Sequence, residues 1–164
     1  VCSAAPMQAP IVPTSYGQYA CGYGYDSFCT MSPLHKACMR GEVEIVRGLL
    51  QQLPAHALNA RGLGGMTPLH FACSSSQNAV ETAGVLLERL STNVLRVRDD
   101  MGMTPLHRAL QNTFCDVLEL CEWLVAHMTD DDLLLCDELG QTVLHTVISR
   151  NSNKVALWCA KKLP

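Results

Sequence analysis

The chain has few of the features that mark nucleic-acid-binding or membrane proteins. Aromatic residues make up 5% and charged residues 16% of its 164 residues, and the net charge is −3 with a pI near 6.0. A nucleic-acid-binding domain typically has a basic stripe and a pI above about 9, so no nucleic-acid partner is expected. No apolar run reaches about 18 residues and no signal-peptide pattern opens the chain, so we expect no membrane partner and an intracellular location, cytoplasmic and/or nuclear.

Sequence motifs of catalysis are also missing. There is neither a G-x-x-x-x-G-K-[ST] phosphate loop nor an H-E-x-x-H zinc helix. The acidic run at residues 130–132 is interpreted as a solvated turn and helix cap, because a calcium loop spreads its ligands over about twelve residues. We therefore predict that the protein is not an enzyme and holds no metal or cofactor.

What the chain does contain is a recurring motif. Thr-Pro-Leu-His stands at residues 104–107, and near copies place histidines at His35, His70 and His145 as well as at His107. Consecutive histidines are 35, 37 and 38 residues apart, a period typical of solenoids. Because Thr or Ser is a good N-cap and Pro suits the first helical position, each copy predicts the start of a short, closely packed helix.

A second helix is predicted in each unit. Residues 42–50 follow the turn residue Gly41 with apolar side chains at helical spacing, and similar segments occupy 80–87 and 117–124. An extended arm then follows, such as residues 95–102, closed by an Asp and Gly turn. The predicted unit is therefore helix, turn, helix and hairpin.

The pattern Thr-Pro-Leu-His-x-Ala, then Gly-x-x-Glu-Ile-Val-x-x-Leu-Leu, resembles the ankyrin repeat over residues 30–164. The resemblance implies an all-α solenoid of helix pairs with β-hairpin fingers and a concave face that binds other proteins. It also implies that the motif histidines hydrogen-bond finger backbone between neighbouring repeats. The four repeats span about 30–64, 65–101, 102–139 and 140–164.

Two departures from the ankyrin pattern are visible. The period exceeds the usual one of about 33 residues, and the extra residues lengthen loops near 74–78 and 112–116, which we expect to be irregular. Gly62 stands where the other fingers have Asp99 and Asp137, so the first finger is expected to be hydrogen-bonded differently.

The first 29 residues form a separate segment. Residues 1–29 hold all four tyrosines, three of the eight prolines and one charged residue, Asp26. This composition predicts a disordered tail, and an adhesive or phosphorylatable interaction tail is the alternative. The start at Val1 suggests a fragment of a longer protein, and the apolar last repeat predicts that Trp158 is partly exposed or that the chain continues.

The nine cysteines are interpreted as reduced thiols. We expect Cys38 and Cys73 on first helices, and Cys121 and Cys159 on second helices, to serve as small hydrophobes. The pairs formed with the motif histidines three residues earlier could suggest zinc, but they lie one repeat apart and zinc requires four converging ligands. A Cys–His nucleophile is likewise not favoured, because the motif histidines already have a structural role.

The remaining candidate is a protein-binding surface. The finger tips are unusually apolar, and exposed apolar groups rimmed by charge mark an interface; mutual packing of the fingers is the alternative. Phe71, Met101, Met103 and Arg108 are the proposed anchors. The full predicted partner-binding set is Leu63, Met66, Phe71, Met101, Met103, Arg108 and Leu139.

We therefore predict a non-enzymatic scaffold or regulatory adaptor, active in signalling, that binds another protein through the concave surface. Three alternatives remain open. The lengthened repeats and the tail also resemble the inhibitors of NF-kappa-B, which clasp transcription factors. The protein could instead be an assembly protein driven by its tail, or a fragment of a larger enzyme that presents substrate.

Overall fold

The computed structural model describes residues 13–14, 18–19, 31–112, 117–149, 157–158 and 161. These residues form nine α-helices, two short 3-10 helices and two very short strands. The helices are α1 (Pro33–Arg40), α2 (Val43–Gln52), α3 (Ala55–Leu58), α4 (Pro68–Cys73), α5 (Ala79–Leu87), α6 (Pro105–Gln111), α7 (Val117–Val125), α8 (Asp130–Leu133) and α9 (Val143–Ser149). The 3-10 helices are Leu63–Gly65 and Thr92–Arg96, and the strands are β1 (Pro13–Thr14) and β2 (Gln18–Tyr19). None of the described helices is long and apolar enough to cross a bilayer.

The recurring motif starts the first helix of each repeat, as predicted. Helices α1, α4 and α6 each have a hydroxyl residue at the N-cap and Pro in the first turn. The N-cap hydroxyl faces the backbone of the motif histidine, and the histidine ring faces back to the N-cap backbone, so both form a reciprocal capping box. Because this cap is satisfied locally, even helices of six to eight residues begin at a defined position.

The helices stack in two rows. First helices pack in the order α1, α4, α6 and α9, and second helices pack in the order α2, α5 and α7. Leu34, Leu69 and Leu106 are at most 1% exposed, and small residues such as Ala72 and Ala109 let neighbouring helices approach closely. The predicted all-α ankyrin-type architecture is therefore confirmed.

The connection after each second helix differs from the predicted extended arm. Thr92–Arg96 is a 3-10 helix that buries Val94 and Leu95, so the arm begins only at Val97. A short helix, α3 or α8, occupies the same place in the first and third repeats. Burying two apolar side chains in the core is more favourable than exposing them along an extended segment.

The fingers (residues 62–66, 99–103 and 137–141) are tight turns rather than the predicted β-hairpins. In the second finger, the N–H of Asp99 donates to the carbonyl of Met103 at 2.9 Å, and the N–H of Gly102 donates to the backbone carbonyl of Asp99 at 3.0 Å. The described part of the repeats contains no strand, because one such pair is too short to form a ladder. The turns still position the finger tips.

The lengthened loop at 74–78 has no regular secondary structure, as expected, but hydrogen bonds brace it. The Asn78 side chain donates to the carbonyl of Gly41 at 3.1 Å, and the Asn112 side chain donates to that of Ser75 at 2.6 Å. Gly41 has φ +67°, and a Cβ there would lie 2.1 Å from the carbonyl oxygen of Gln77. The insertion thus ties three repeats together. The second lengthened loop, at 113–116, lies outside the described residues.

Part of the tail predicted to be disordered forms a strand pair. Strands β1 and β2 are antiparallel, with Pro13 opposite Tyr19 and Thr14 opposite Gln18. Thr and Tyr favour extended backbone, which is consistent with pairing at these positions. The other residues of the tail lie outside the described residues.

Candidate protein-binding surface

The motif histidine joins each first helix to the following finger. The Nδ1 atom of His70 accepts from the N–H and the hydroxyl of Thr67, at 3.2 and 2.8 Å. Its Nε2–H donates to the carbonyl of Met103, 33 residues later, at 3.0 Å. Because Nδ1 accepts and Nε2 donates, His70 is the neutral Nε2–H tautomer.

His107 repeats this arrangement, because its Nε2 bonds to the carbonyl of Gln141 at 3.3 Å. The Nε2 of His35 instead bonds at 2.9 Å to the carbonyl of Ala60, which precedes the first finger and lies in the same repeat. The predicted bridging role is therefore confirmed at His70 and His107. His145 keeps the local bond to Thr142 at 2.9 Å, but no acceptor within the described part of the chain faces its Nε2.

Burial keeps the bridging histidines neutral. Desolvation lowers the pKa of His70 to about 4, although its bond to Met103 and the charge of Asp99 act in the opposite direction. Desolvation also lowers the pKa values of His35 and His107 below their usual value. These side chains act as fixed hydrogen-bonding links at neutral pH.

Buried aspartates shape the second and third fingers. One carboxylate oxygen of Asp99 accepts from the N–H groups of Met101 and Met103, at 2.9 and 3.0 Å. Asp137 does the same for Leu139 and Gln141, at 2.9 and 2.8 Å. Each carboxylate therefore fixes the backbone that presents its fingertip.

The first finger uses another solution, as its glycine led us to expect. Gly62 supplies no carboxylate, and the turn instead places Gly64 and Gly65 at φ +65° and +68°. The Arg61 guanidinium donates to the carbonyl of Gly65 at 3.2 Å, as Arg98 does to the carbonyl of Gly102 in the second finger at 2.9 Å. A Cβ at Gly62 would lie 3.2 Å from the ring of His35, so a larger residue would crowd that ring.

Hydrogen bonds also join each finger to the next. The N–H of Asp100 donates to the carbonyl of Gly64 at 3.0 Å, and the N–H of Glu138 donates to that of Met101 at 3.1 Å. Along the same edge, the guanidinium of Arg61 donates to the carbonyl of Arg98 at 2.9 Å. Arg98 in turn donates to the carbonyl of Cys136 at 2.5 Å. The three fingers thus form one connected edge.

The finger tips expose apolar side chains along this edge. Leu63, Met101 and Leu139 are 40%, 55% and 79% exposed, and we call these three residues the fingertip row. Met66 and Met103 lie half-buried just behind it. The Met103 sulfur accepts from the Gln111 amide at 3.3 Å, which holds its side chain toward α6.

The sequence predicts Phe71 as a partner-binding anchor, but Phe71 is buried in the structure. Its side chain is only 4% exposed and packs edge-to-face on His35, with ring centroids 5.4 Å apart. An aromatic ring gains more free energy from this buried contact between repeats than from a solvated position. Phe71 therefore belongs to the core and not to a partner surface.

Arg108 is half-buried and already has a partner. Its Nε donates to the buried carboxylate of Asp99 at 2.7 Å, and Nη2 approaches the same oxygen at 2.5 Å. Nη2 also approaches the Met101 sulfur at 3.5 Å. The guanidinium thus stabilises the second finger, and only part of it remains available to a binding partner.

The sequence interpretation missed one more buried carboxylate. Asp132, in the run expected to be solvated, is 5% exposed and accepts from the N–H and hydroxyl of Thr129 at 2.8 Å. Burial would raise the pKa of Asp132, but the bonds from Thr129 and the Arg96 guanidinium outweigh it and lower the pKa. The spacing Thr-x-x-Asp, a capping-box signature, was the available signal.

The described cysteines fit the predicted structural role. Cys38, Cys73 and Cys121 are buried on helices and Cys136 is half-buried, and none of these four thiols forms a disulfide. Burial raises the pKa of the Cys38 thiol to about 12. The described residues contain no cluster of three or more potential metal ligands. Cys159 lies outside the described part of the chain.

Comparison with known proteins agrees with the repeat pattern. A family model described as ankyrin repeats, in three copies, matches residues 15–96 and again residues 65–130. No curated protein matches the chain.

Proposed function

Because the chain belongs to the ankyrin-repeat family, we propose that it is a non-enzymatic scaffold or regulatory adaptor that binds a partner protein through its finger edge and concave surface. Ankyrin repeats generally mediate protein–protein interactions, and the family is typically non-catalytic. The proposed site comprises the fingertip row with Met66, Met103 and the accessible part of Arg108, and it acts inside the cell.

The observation that carries this proposal is the exposure of the fingertip row. Leu63, Met101 and Leu139 stand on three successive fingers and all face solvent. Exposing large apolar side chains costs free energy relative to burying them, and such patches commonly mark interfaces. Asp100 and Glu138, both exposed, provide a charged rim beside two of them.

The hydrogen-bonded edge supports the same interpretation. Backbone bonds between fingers and the carboxylates of Asp99 and Asp137 fix the tips before any partner arrives. A preformed surface loses little conformational entropy on binding, so a few anchors can provide most of the affinity. Met101, Met103 and Leu139 are the anchors that this geometry favours, with Met adapting its shape to an irregular partner.

Affinity capture from cell lysate tests the proposal. The full chain is compared with a variant carrying Met101→Ala, Met103→Ala and Leu139→Ala, and each removed anchor is expected to weaken a specific partner by about 1–2 kcal/mol. The matched control carries Ile45→Ala and Leu134→Ala, which remove apolar side chains of 52% and 59% exposure away from the fingers. Circular dichroism verifies that both variants fold.

The two possible results have opposite meanings. Loss of a partner in the finger variant, with retention in the control, supports binding at the finger edge. Equal capture by both variants would show that the exposed tips serve mutual packing of the fingers, and it would direct attention to the second helices and the tail.

A further inference from the structure

The fourth repeat exposes side chains that the preceding repeats bury at the same motif position. The leucine before the motif histidine is at most 1% exposed at Leu34, Leu69 and Leu106, but 37% exposed at Leu144. In each earlier case the next first helix packs against the helix that carries it. The residue type is the same in all four cases, so the difference lies in what packs against the helix.

The position four residues further along the same helix changes in the same way. Cys38, Cys73 and Leu110 are 0%, 0% and 5% exposed, whereas Ile148 is 71% exposed. Residues four apart lie on one face of a helix, so Leu144 and Ile148 form one apolar patch. We call Leu144, His145 and Ile148 the end face.

The third finger, which contains Gly140, shows a matching gap. A Cβ added at Gly65 would lie 2.1 Å from the Asp100 carboxylate, and one at Gly102 would lie 2.6 Å from the backbone nitrogen of Glu138. At Gly140, which has φ +72° like Gly102, no atom of the described residues lies within 4 Å of that position. The space that the following finger fills in the first two cases is open here.

The third sign is the histidine. His70 and His107 each donate Nε2–H to a backbone carbonyl of the following finger. His145 has the same local bond to Thr142, but it is exposed, and no bond of its Nε2 to the described part of the chain is seen. Helix α9, Gly140 and His145 therefore each lack, among the described residues, a contact that a following repeat would supply. The three contacts would come from one repeat stacked in the same register.

We propose that the end face docks one further repeat of the ankyrin type, stacked in the register of the three interfaces already present. Its first helix covers Leu144 and Ile148, its turn fills the space beside Gly140, and a finger carbonyl accepts from Nε2 of His145. An ordinary end repeat carries a polar outer face. Leu and Ile at these two positions match an internal repeat instead.

A full chain with a copy of residues 126–164 appended after residue 164 tests this proposal. The copied segment contains α8, the third finger and α9, so it supplies a finger and a first helix one repeat beyond His145. Amide hydrogen exchange at residues 144–148 is expected to slow by roughly tenfold or more, and the urea midpoint of unfolding is expected to rise. Both values are compared with those of the unmodified chain.

Charge placed on the end face provides the control. Ile148→Asp in the original copy alone replaces a largely exposed side chain, so it leaves the starting fold intact but abolishes the gained protection. Ile45→Asp, at another exposed apolar position, retains the gain in the same extended chain. The fingertip row is unchanged in all variants, so the result does not depend on the proposed function.

Two outcomes overturn the proposal. If the amide exchange rates and the urea midpoint of unfolding do not change when the segment is appended, the end face does not accept an ankyrin-type repeat. Concentration-dependent self-association of the unmodified chain, lost on Ile148→Asp and retained on Ile45→Asp, shows that a second copy is the occupant instead. Sedimentation velocity of the unmodified chain measures this association.

Discussion

The second and fourth repeats contain nearly the same motif but place it in different environments. His70 and His145 both accept from the Thr residue that caps their helix. Only His70 is fully buried and bonded to the next finger. The local motif therefore determines where a helix starts, while the stack determines how much stability each motif residue contributes.

Among the planned substitutions, aspartate to alanine gives the largest expected difference between the second finger and the third finger. Asp99→Ala removes the acceptor for two N–H groups and leaves Arg108 unpaired in a half-buried site, so we expect a loss of about 3–5 kcal/mol. Asp137→Ala removes only the backbone bonds and should cost about 1–3 kcal/mol. Urea unfolding measures both losses, and equal values would contradict the structural role of the ion pair.

The pH dependence of stability should reflect the buried histidines. The folded-state pKa of His70 is about 4, below the usual 6.5, so the unfolded chain binds more protons between these values. Stability is then fully present above about pH 6.5 and decreases as the pH falls toward 4, by about 3 kcal/mol for His70.

Urea unfolding at pH 7.5 and pH 5 checks this pH effect. His70→Gln should flatten the dependence, because it removes the imidazole whose pKa burial lowers. An identical slope in the parent protein and in the His70 variant would refute the assignment of the effect to this residue.

Alanine at the finger glycines tests the open space at the end of the stack. Gly102→Ala and Gly140→Ala both place a Cβ at φ +72°, which costs about 1–2 kcal/mol. Gly102→Ala also forces contact with the backbone of Glu138, so its total should reach about 2–3 kcal/mol. Thermal unfolding of the two variants should rank them in this order, and the reverse order would contradict the packing of the second finger on the third.

Histidine substitution gives the smallest expected difference. His107→Ala removes the bond to the carbonyl of Gln141 and the local cap, with an expected loss of roughly 1–3 kcal/mol. His145→Ala removes only the cap and should cost about 1 kcal/mol or less. An unchanged melting temperature for His107→Ala would remove the bridging account of that residue.

Features that depend on residues close together in the sequence could be predicted from the sequence. Hydroxyl, proline and histidine within four residues determine the helix starts, and the repeat period predicts the stack. The buried partners were not predictable, because Asp99 lies nine residues from Arg108 and Arg96 lies 36 from Asp132. Phe71 was misplaced for the same reason, since its contact with His35 arises only when two repeats pack.

The sequence by itself determined the family and the helix starts. Those properties arise from short-range chemistry that recurs with each copy of the motif. The tertiary structure alone decided which copies are covered, which tips face solvent and which carboxylates pair. These outcomes depend on what the next repeat places opposite each residue, and the fourth copy of the motif differs from the others because its Leu144 and Ile148 are exposed.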